Sequence, residues 1–163
     1  MTEAEELEDL FRRYPRLRDA NGEITSRPDP RYNCVAWAVG DDTIPWVADP
    51  GIVDDPELKR YGYWPPDAPR DDTLKGWIRM FGTLGYRRCR NWEFEPGYEK
   101  VAIYGTPARP EHAARQTTEG RWASKLGQGH DIEHELEGLS DSRYGSVLIV
   151  LRRRSRQGRL VEP

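Results

Sequence analysis

Cysteine and histidine are scarce in this sequence, which contains two Cys and three His among 163 residues. Cys34 and Cys89 lie far apart in the chain, so they predict neither a disulfide framework nor a cysteine-rich zinc site, and we expect two free thiols. The sequence also lacks a Gly-rich phosphate loop, a paired-carboxylate signature and a serine nucleophile elbow. These absences exclude several classes of enzyme and leave few side chains that could carry chemistry.

Long apolar runs are missing as well. No stretch approaches the roughly 18 residues that a membrane span needs, and the acidic start MTEAEELEDLF is the opposite of a secretory signal. We therefore expect a cytoplasmic protein without membrane contact. The net charge of −3 creates no global field that would attract nucleic acid, so we do not expect a nucleic-acid partner.

The amino acids that are abundant predict a folded core. Hydrophobic residues make up 36% of the chain, and six Trp and eight Tyr supply large side chains to bury. The length predicts one domain, residues 1–154, followed by a basic tail, residues 155–163. We interpret the basic run LRRRSRQGR as a solvated segment, with binding to an anionic surface as the alternative.

Two helices are predicted in the first 40 residues. Leu7, Leu10 and Phe11 share one helical face before Pro15 ends the pattern, which is typical of a docking helix. NCVAWAVG then reads as a short helix, because an asparagine can cap its first amides and a glycine can close its end.

A long loop and a third helix follow. Residues 41–70 are rich in proline and carry Trp46, Tyr61, Tyr63 and Trp64, which is typical of a folded functional loop rather than a linker. We expect this loop to border any cleft that contains Cys34. The segment DDTLKGWIRMFGTLG has a capping residue and an apolar face, so it predicts the third helix.

The second half of the chain changes to a period of two. The segments GYEKVAIYG, EHAARQT, GRWASKLG and YGSVLIVLRR each have the length of a strand, and Gly120 supplies a hairpin turn. DIEHELEGL predicts a short helix or turn between the last two. The order indicates an α+β fold in which N-terminal helices pack on a mostly antiparallel sheet.

Cys34 and His112 are the residues most suited to nucleophilic chemistry. Cys34 lies at the predicted start of a helix, where amide dipoles lower a thiol pKa. His112 opens a predicted strand and could serve as its base. The simpler alternatives are a small buried apolar residue at position 34 and a surface imidazole at position 112. Cys89 has no nearby histidine in sequence, so we interpret it as structural or incidental.

The order of these elements resembles the papain-like cysteine peptidase and amidase superfamily, particularly its NlpC/P60 and CHAP-type branches. The resemblance covers roughly residues 32–126 and rests on a Cys at a helix start, a His at the start of a central strand, and a polar residue on the next strand. It implies a papain-like fold in which Cys34 attacks an amide, isopeptide or ester and His112 moves the proton. In the segment HAARQTTEGRWASKLG, the position that orients the imidazole corresponds to Ser124, with Asp131 or His134 as alternatives.

The same resemblance implies a substrate cleft around the thiol. The backbone N–H of Cys34, with the side chain of Asn33 or Tyr32, would stabilise an oxyanion. We assign the remaining substrate-binding positions to aromatic and basic side chains near that cleft: Trp37, Trp46, Trp64, Lys125 and His134. No cofactor is expected. The alternative function is a catalytically inactive relative that binds a peptide or protein partner in the same cleft.

Two further interpretations remain open in the sequence. Cys34, His112 and His134 could form a zinc site with a bound water, although none of the usual short ligand spacings is present.

The segments NCVAWA, YEKVAIYG, HAARQ and DIEH also resemble a group of bacterial proteins of this size that share a domain of unknown function. That resemblance spans nearly the whole chain but implies no activity.

Overall fold

Side chains next to each predicted helix fix where it begins. Thr2 and Glu5 form a reciprocal capping box at the start of α1 (Glu3–Arg13). The side chain of Asn33 accepts from a backbone amide of α2 (Cys34–Val39), and Gly40 ends that helix with a positive φ of 91°. Thr73 caps α4 (Leu74–Thr83), which follows the single-turn helix α3 (Pro50–Val53). The three predicted helices are therefore confirmed.

The computed structural model describes residues 1–155, so most of the predicted basic tail lies outside the described residues. The strands are β1 (Glu23–Ile24), β2 (Arg87–Arg88), β3 (Tyr98–Thr106), β4 (Arg109–Gln116), β5 (Trp122–Lys125), β6 (Asp131–His134) and β7 (Ser146–Arg154). Two 3₁₀ turns cover Lys59–Tyr61 and Leu136–Leu139. None of the helices in the described part is both long and apolar enough to cross a membrane.

All seven strands belong to one sheet in the order β1-β6-β5-β4-β3-β7-β2, and every pairing is antiparallel. The prediction that β3, β4 and β5 are antiparallel neighbours is confirmed. Gly120 has a φ of 84° in the β4–β5 turn, a conformation that glycine adopts without a steric penalty. The chain thus has the expected α+β organisation.

The prediction for DIEHELEGL is wrong in its first half. Asp131–His134 forms strand β6 between β1 and β5, and only the second half is a 3₁₀ turn. Along β6, Ile132 and His134 pack on one face of the sheet, whereas Asp131 faces the other. Four residues are too short a window for a period of two to be distinguished from a helical turn.

The sheet separates two hydrophobic clusters. On the first face, helices α2 and α4 cover the central strands, with buried residues that include Val35, Ala36, Trp77, Phe81, Ile103 and Ala113. On the second face, α1 and the turn after it cover the same strands, with buried residues that include Leu10, Tyr14, Leu17, Tyr104, Trp122 and Ile132. Successive side chains of a strand point to opposite faces, so neighbours on β4 belong to different clusters.

Candidate functional site

Cys34 occupies the first residue of α2, next to a cap that also holds the proline-rich loop. The side-chain oxygen of Asn33 accepts from Ala36 N at 3.0 Å and from Trp46 N at 3.1 Å. The side-chain nitrogen of Asn33 donates to Trp46 O at 2.8 Å. One side chain therefore caps the helix and fixes the backbone of the loop beside the thiol.

The Cys34 sulfur lies against strand β4. Burial is the main cause that raises the pKa of the Cys34 thiol, while the backbone amides of Ala113, Val35 and Cys34 itself lower it. The β4–β5 ladder pairs only Arg115 and Gln116 of β4, so the first half of β4 has no strand partner on that side. The start of α2 therefore lies beside the first half of β4, which β5 leaves unpaired. Because burial raises its pKa, the Cys34 thiol is neutral at pH 7.

A cavity of about 470 Å³ has Cys34 in its wall. Trp46 and Trp64 of the proline-rich loop line this cavity together with Trp77 of α4, as the sequence predicted for the loop. Their indole N–H groups donate within the protein, to Asp41 Oδ2, Pro69 O and Asp72 Oδ1, each at 2.8 Å. The rings can therefore offer only apolar surface to a ligand.

Charged side chains that the sequence analysis did not select line the same cavity. Arg109 pairs with Asp72 at 3.1 Å and with Glu111 at 3.2 Å, and Asp49 also lines the cavity. The lining therefore carries three carboxylates and one guanidinium. No sequence signal connects Asp72, which precedes α4, with the start of β4, because the tertiary structure brings them together.

His112 is fully buried on the opposite face of the sheet. Its ring stacks on Tyr144 at 4.3 Å between centroids and tilts against Tyr104 at 5.4 Å. Neither ring nitrogen has a hydrogen-bond partner within residues 1–155. Burial lowers the pKa of His112 to about 3, with a smaller contribution from His134, so the imidazole is neutral at pH 7.

The predicted hydrogen bond between Cys34 and His112 is absent, because both ring nitrogens of His112 are unpartnered. The physical reason is strand alternation: Ala113 packs with α2 on the first face, whereas His112 points to the second. The two residues are nevertheless close in the chain fold, since the amide that approaches the Cys34 sulfur belongs to Ala113.

The prediction that Ser124 orients His112 is also wrong. Ser124 lies 2.7 Å from His134 Nε2, and His134 Nδ1 lies 2.7 Å from the carbonyl oxygen of Glu135. A carbonyl only accepts, so Nδ1 of the neutral ring donates to Glu135 and Nε2 accepts from the Ser124 hydroxyl. Burial lowers the pKa of His134 to about 4. His134 is a satisfied core histidine, and both of its nitrogens are unavailable to a zinc ion.

Asp131 likewise does not reach His112. It accepts from the Tyr32 hydroxyl at 2.8 Å, and its other carboxylate oxygen is buried without a partner in the described part of the chain. Lys125 is paired with Asp131 in the β5–β6 register, donates to Gly129 O and lies 5.1 Å from the Tyr32 ring. Burial lowers the pKa of Lys125 and raises that of Tyr32 to about 12. These residues form a separate buried polar cluster on the first face.

The predicted substrate-binding residues thus separate into two groups. Asn33, Trp46 and Trp64 line the cavity of Cys34. Tyr32, Trp37, Lys125 and His134 do not line it, and Trp37 instead lines a second cavity at the other end of α2. Within residues 1–155, no group of three His, Cys, Asp or Glu side chains is placed to hold a metal ion.

Both cysteines are free thiols, as expected. Cys89 is buried, and its thiol donates to the Asn91 carbonyl at 2.9 Å. Lys100 is fully buried beside it and pairs with Glu95 at 2.7 Å. These contacts give Cys89 a role in holding the segment before β3.

Comparison with known proteins places the chain in a family without giving it an activity. No curated protein and no solved structure matches this chain. One family model matches residues 23–152, which include α2, α4 and nearly the whole sheet. The chain therefore belongs to the family described as Domain of unknown function (DUF7689).

Proposed function

We propose that this chain is a thiol-dependent hydrolase or transferase, related to the papain-like superfamily, that acts on an amide, isopeptide or ester bond. The observation that carries the proposal is the place of Cys34 in the wall of an aromatic cavity, beside the strand that holds a buried imidazole with two unpartnered nitrogens. Buried polar groups without partners are rare in folded proteins, and a catalytic role is one of the explanations for them.

The protonation states of Cys34 and His112 in the free chain determine how the reaction would begin. Burial raises the pKa of the Cys34 thiol and lowers that of His112 to about 3, so both groups are neutral at pH 7. In the proposed reaction, His112 becomes hydrated when it turns toward the cavity, which raises its pKa, and its imidazole then accepts the thiol proton as the sulfur attacks the carbonyl carbon. The leaving amine or alcohol then takes that proton from the imidazolium, and water hydrolyses the thioester that remains on Cys34.

Substrate binding must bring the two groups closer than they are in the free chain. Because His112 points to the second face of the sheet, the proposal requires that the first half of β4 rearranges on substrate binding and turns this side chain toward the cavity. The three tryptophans of the cavity would hold an apolar substrate group, and the carboxylates of the lining favour a neutral or cationic one.

A binding protein that retains the cleft without the chemistry is the second candidate. The observation that favours it is the missing hydrogen bond between Cys34 and His112, together with a raised thiol pKa. In that case the cavity would bind a peptide or a small molecule and release it unchanged.

Trapping of the acyl intermediate separates the two candidates. The wild-type chain is incubated with a panel of p-nitrophenyl esters, thioesters and peptide amides, and adducts are located by mass spectrometry. We expect an acyl group on Cys34 and none on Cys89, which serves as the matched buried thiol. A His112→Phe variant keeps an aromatic ring against Tyr144 and should lose the adduct while it remains folded by circular dichroism.

Two results would contradict the hydrolase. One is equal acylation of Cys34 in the wild type and the His112→Phe variant. The other is a panel that leaves Cys34 unmodified although fluorescence shows that the same compounds bind. The second result would establish the binding protein instead.

A further inference from the structure

A second cavity, of about 540 Å³, lies at the opposite end of α2 and shares no lining residue with the cavity of Cys34. Arg115 of β4 and Trp37 of α2 form part of its wall. The guanidinium carbon of Arg115 lies 4.0 Å from the centroid of the Trp37 ring. Stacking of this kind holds the guanidinium plane in one orientation while its N–H groups remain available.

Arg115 carries a positive charge that no other residue neutralises by contact. Within residues 1–155 its side chain makes no ion pair and no hydrogen bond, and burial is the main cause that lowers its pKa. An arginine nevertheless stays protonated in a protein. Asp131 and Glu99 act on this charge only from a distance. A partly buried charge without a counter-charge in contact is costly, so a bound anion would stabilise this site.

The other charged groups that line the cavity are already paired. Arg153 Nε lies 2.8 Å from Glu99, Lys100 lies 2.7 Å from Glu95, and Glu133 faces Arg121 at 3.8 Å. Among the charged residues that line this cavity, Arg115 is therefore the one without an ion pair in residues 1–155, and its charge can bind a ligand.

A neutral donor lies near this charge. Tyr86 lines the cavity, and its hydroxyl has no hydrogen-bond partner among the described residues. Burial raises the pKa of Tyr86 to about 12, so its hydroxyl keeps its proton. The indole N–H of Trp37 is buried and has no acceptor within residues 1–155.

We propose that this second cavity binds the oxyanion group of a small ligand, a carboxylate or a phosphate, with Arg115 as its principal contact. A guanidinium held flat against an aromatic ring presents a fork of N–H groups that matches either anion. Tyr86 would donate to one of the remaining oxygens. The site is separate from the proposed thiol chemistry and does not depend on it.

Calorimetric titration tests the proposal with inorganic phosphate and acetate as probes, at constant ionic strength and with chloride as the reference anion. We expect saturable binding of at least one probe to the wild-type chain, with a change in tryptophan fluorescence from Trp37. Arg115→Gln should weaken binding by about tenfold or more. The affinity of Arg115→Lys should lie between those of the wild type and Arg115→Gln, because an ammonium keeps the charge but lacks the planar fork of N–H groups. The tighter probe identifies phosphate or carboxylate as the ligand group.

Two controls isolate the site. Arg87→Gln removes an exposed arginine from β2 and should bind the probes like the wild type. Cys34→Ala should also bind normally, so that failure of the thiol hydrolase would leave this result intact. Absence of saturable binding to the wild type would overturn the proposal, as would an affinity that Arg115→Gln leaves unchanged while circular dichroism shows a native fold.

Discussion

At the scale of single residues, the buried polar side chains differ in whether their hydrogen bonds are satisfied. His134 has a partner for each ring nitrogen, in Ser124 and Glu135. His112 has none, although it is buried between two tyrosine rings. An unsatisfied buried donor and acceptor cost free energy that an apolar ring of similar shape would not. The imidazole of His112 is thus unfavourable for stability, which is typical of a side chain kept for function.

This comparison predicts the effect of His112→Phe. We expect the free energy of unfolding to stay the same or to rise by about 1–3 kcal/mol, since the variant keeps the aromatic stack and removes two unpaired polar atoms. Urea denaturation measures the change. His134→Phe is the matched control and should destabilise the chain, because it breaks two satisfied hydrogen bonds and leaves Ser124 unpaired. Destabilisation of His112→Phe by several kcal/mol would mean that the imidazole has a structural partner.

At the scale of secondary-structure elements, one side chain joins the start of α2 to the proline-rich loop. Asn33 accepts from the amides of Ala36 and Trp46 and donates to the Trp46 carbonyl. Helix capping and the position of the cavity wall therefore depend on the same residue. The loop has additional support further along, where Arg70 donates to the carbonyls of Pro65, Pro66 and Ala68.

Substitution of Asn33 tests this coupling. Asn33→Ala should lower the free energy of unfolding by more than about 1 kcal/mol, since a lost cap alone costs that much and the Trp46 backbone groups also lose their partners. Asn33→Asp keeps the accepting oxygen and loses only the donor, so its effect should be smaller. The rate of Cys34 alkylation by iodoacetamide gives a second measurement. A loosened loop should make Cys34 react faster in Asn33→Ala, and an unchanged rate would show that the loop holds its position without this side chain.

At the scale of the whole molecule, two buried histidines couple folding to pH. Their pKa values are about 3 for His112 and about 4 for His134 in the folded chain, below the ordinary value of 6.5. The unfolded chain therefore binds more protons than the folded chain between these limits. The stability that this difference supplies is fully present above pH 6.5 and is lost as the pH falls toward 4 and 3.

Unfolding measured between pH 7.5 and 4 tests this linkage. Each histidine should contribute a loss of up to about 1.4 kcal/mol per pH unit below its unfolded pKa. Because carboxylates add to the loss at the acidic end, the comparison of wild type with His112→Phe isolates one histidine. The variant should show the shallower slope below pH 6. Parallel curves for the two proteins would indicate that His112 has the same pKa in the folded and unfolded chains.

The sequence by itself determined the local features. The caps at Thr2, Asn33 and Thr73 defined three helices, and the alternation around Gly120 defined the β4–β5 hairpin. The aromatic loop beside the thiol could also be predicted, because it follows α2 directly in the chain. These features depend on neighbours within a few residues, where capping, periodicity and turn preference act.

Only the tertiary structure decided which polar side chains meet. The face of the sheet that His112 takes depends on the register of β4 with β3, which shifts at a bulge between Tyr104 and Gly105. A shift of one residue moves a side chain to the other face, and no local pattern encodes it. The bond from Tyr32 to Asp131 joins positions 99 residues apart. Contacts of this range arise from the packing of the whole sheet. The sequence therefore indicates which residues are candidates for the site, but it does not show which of them lie in contact.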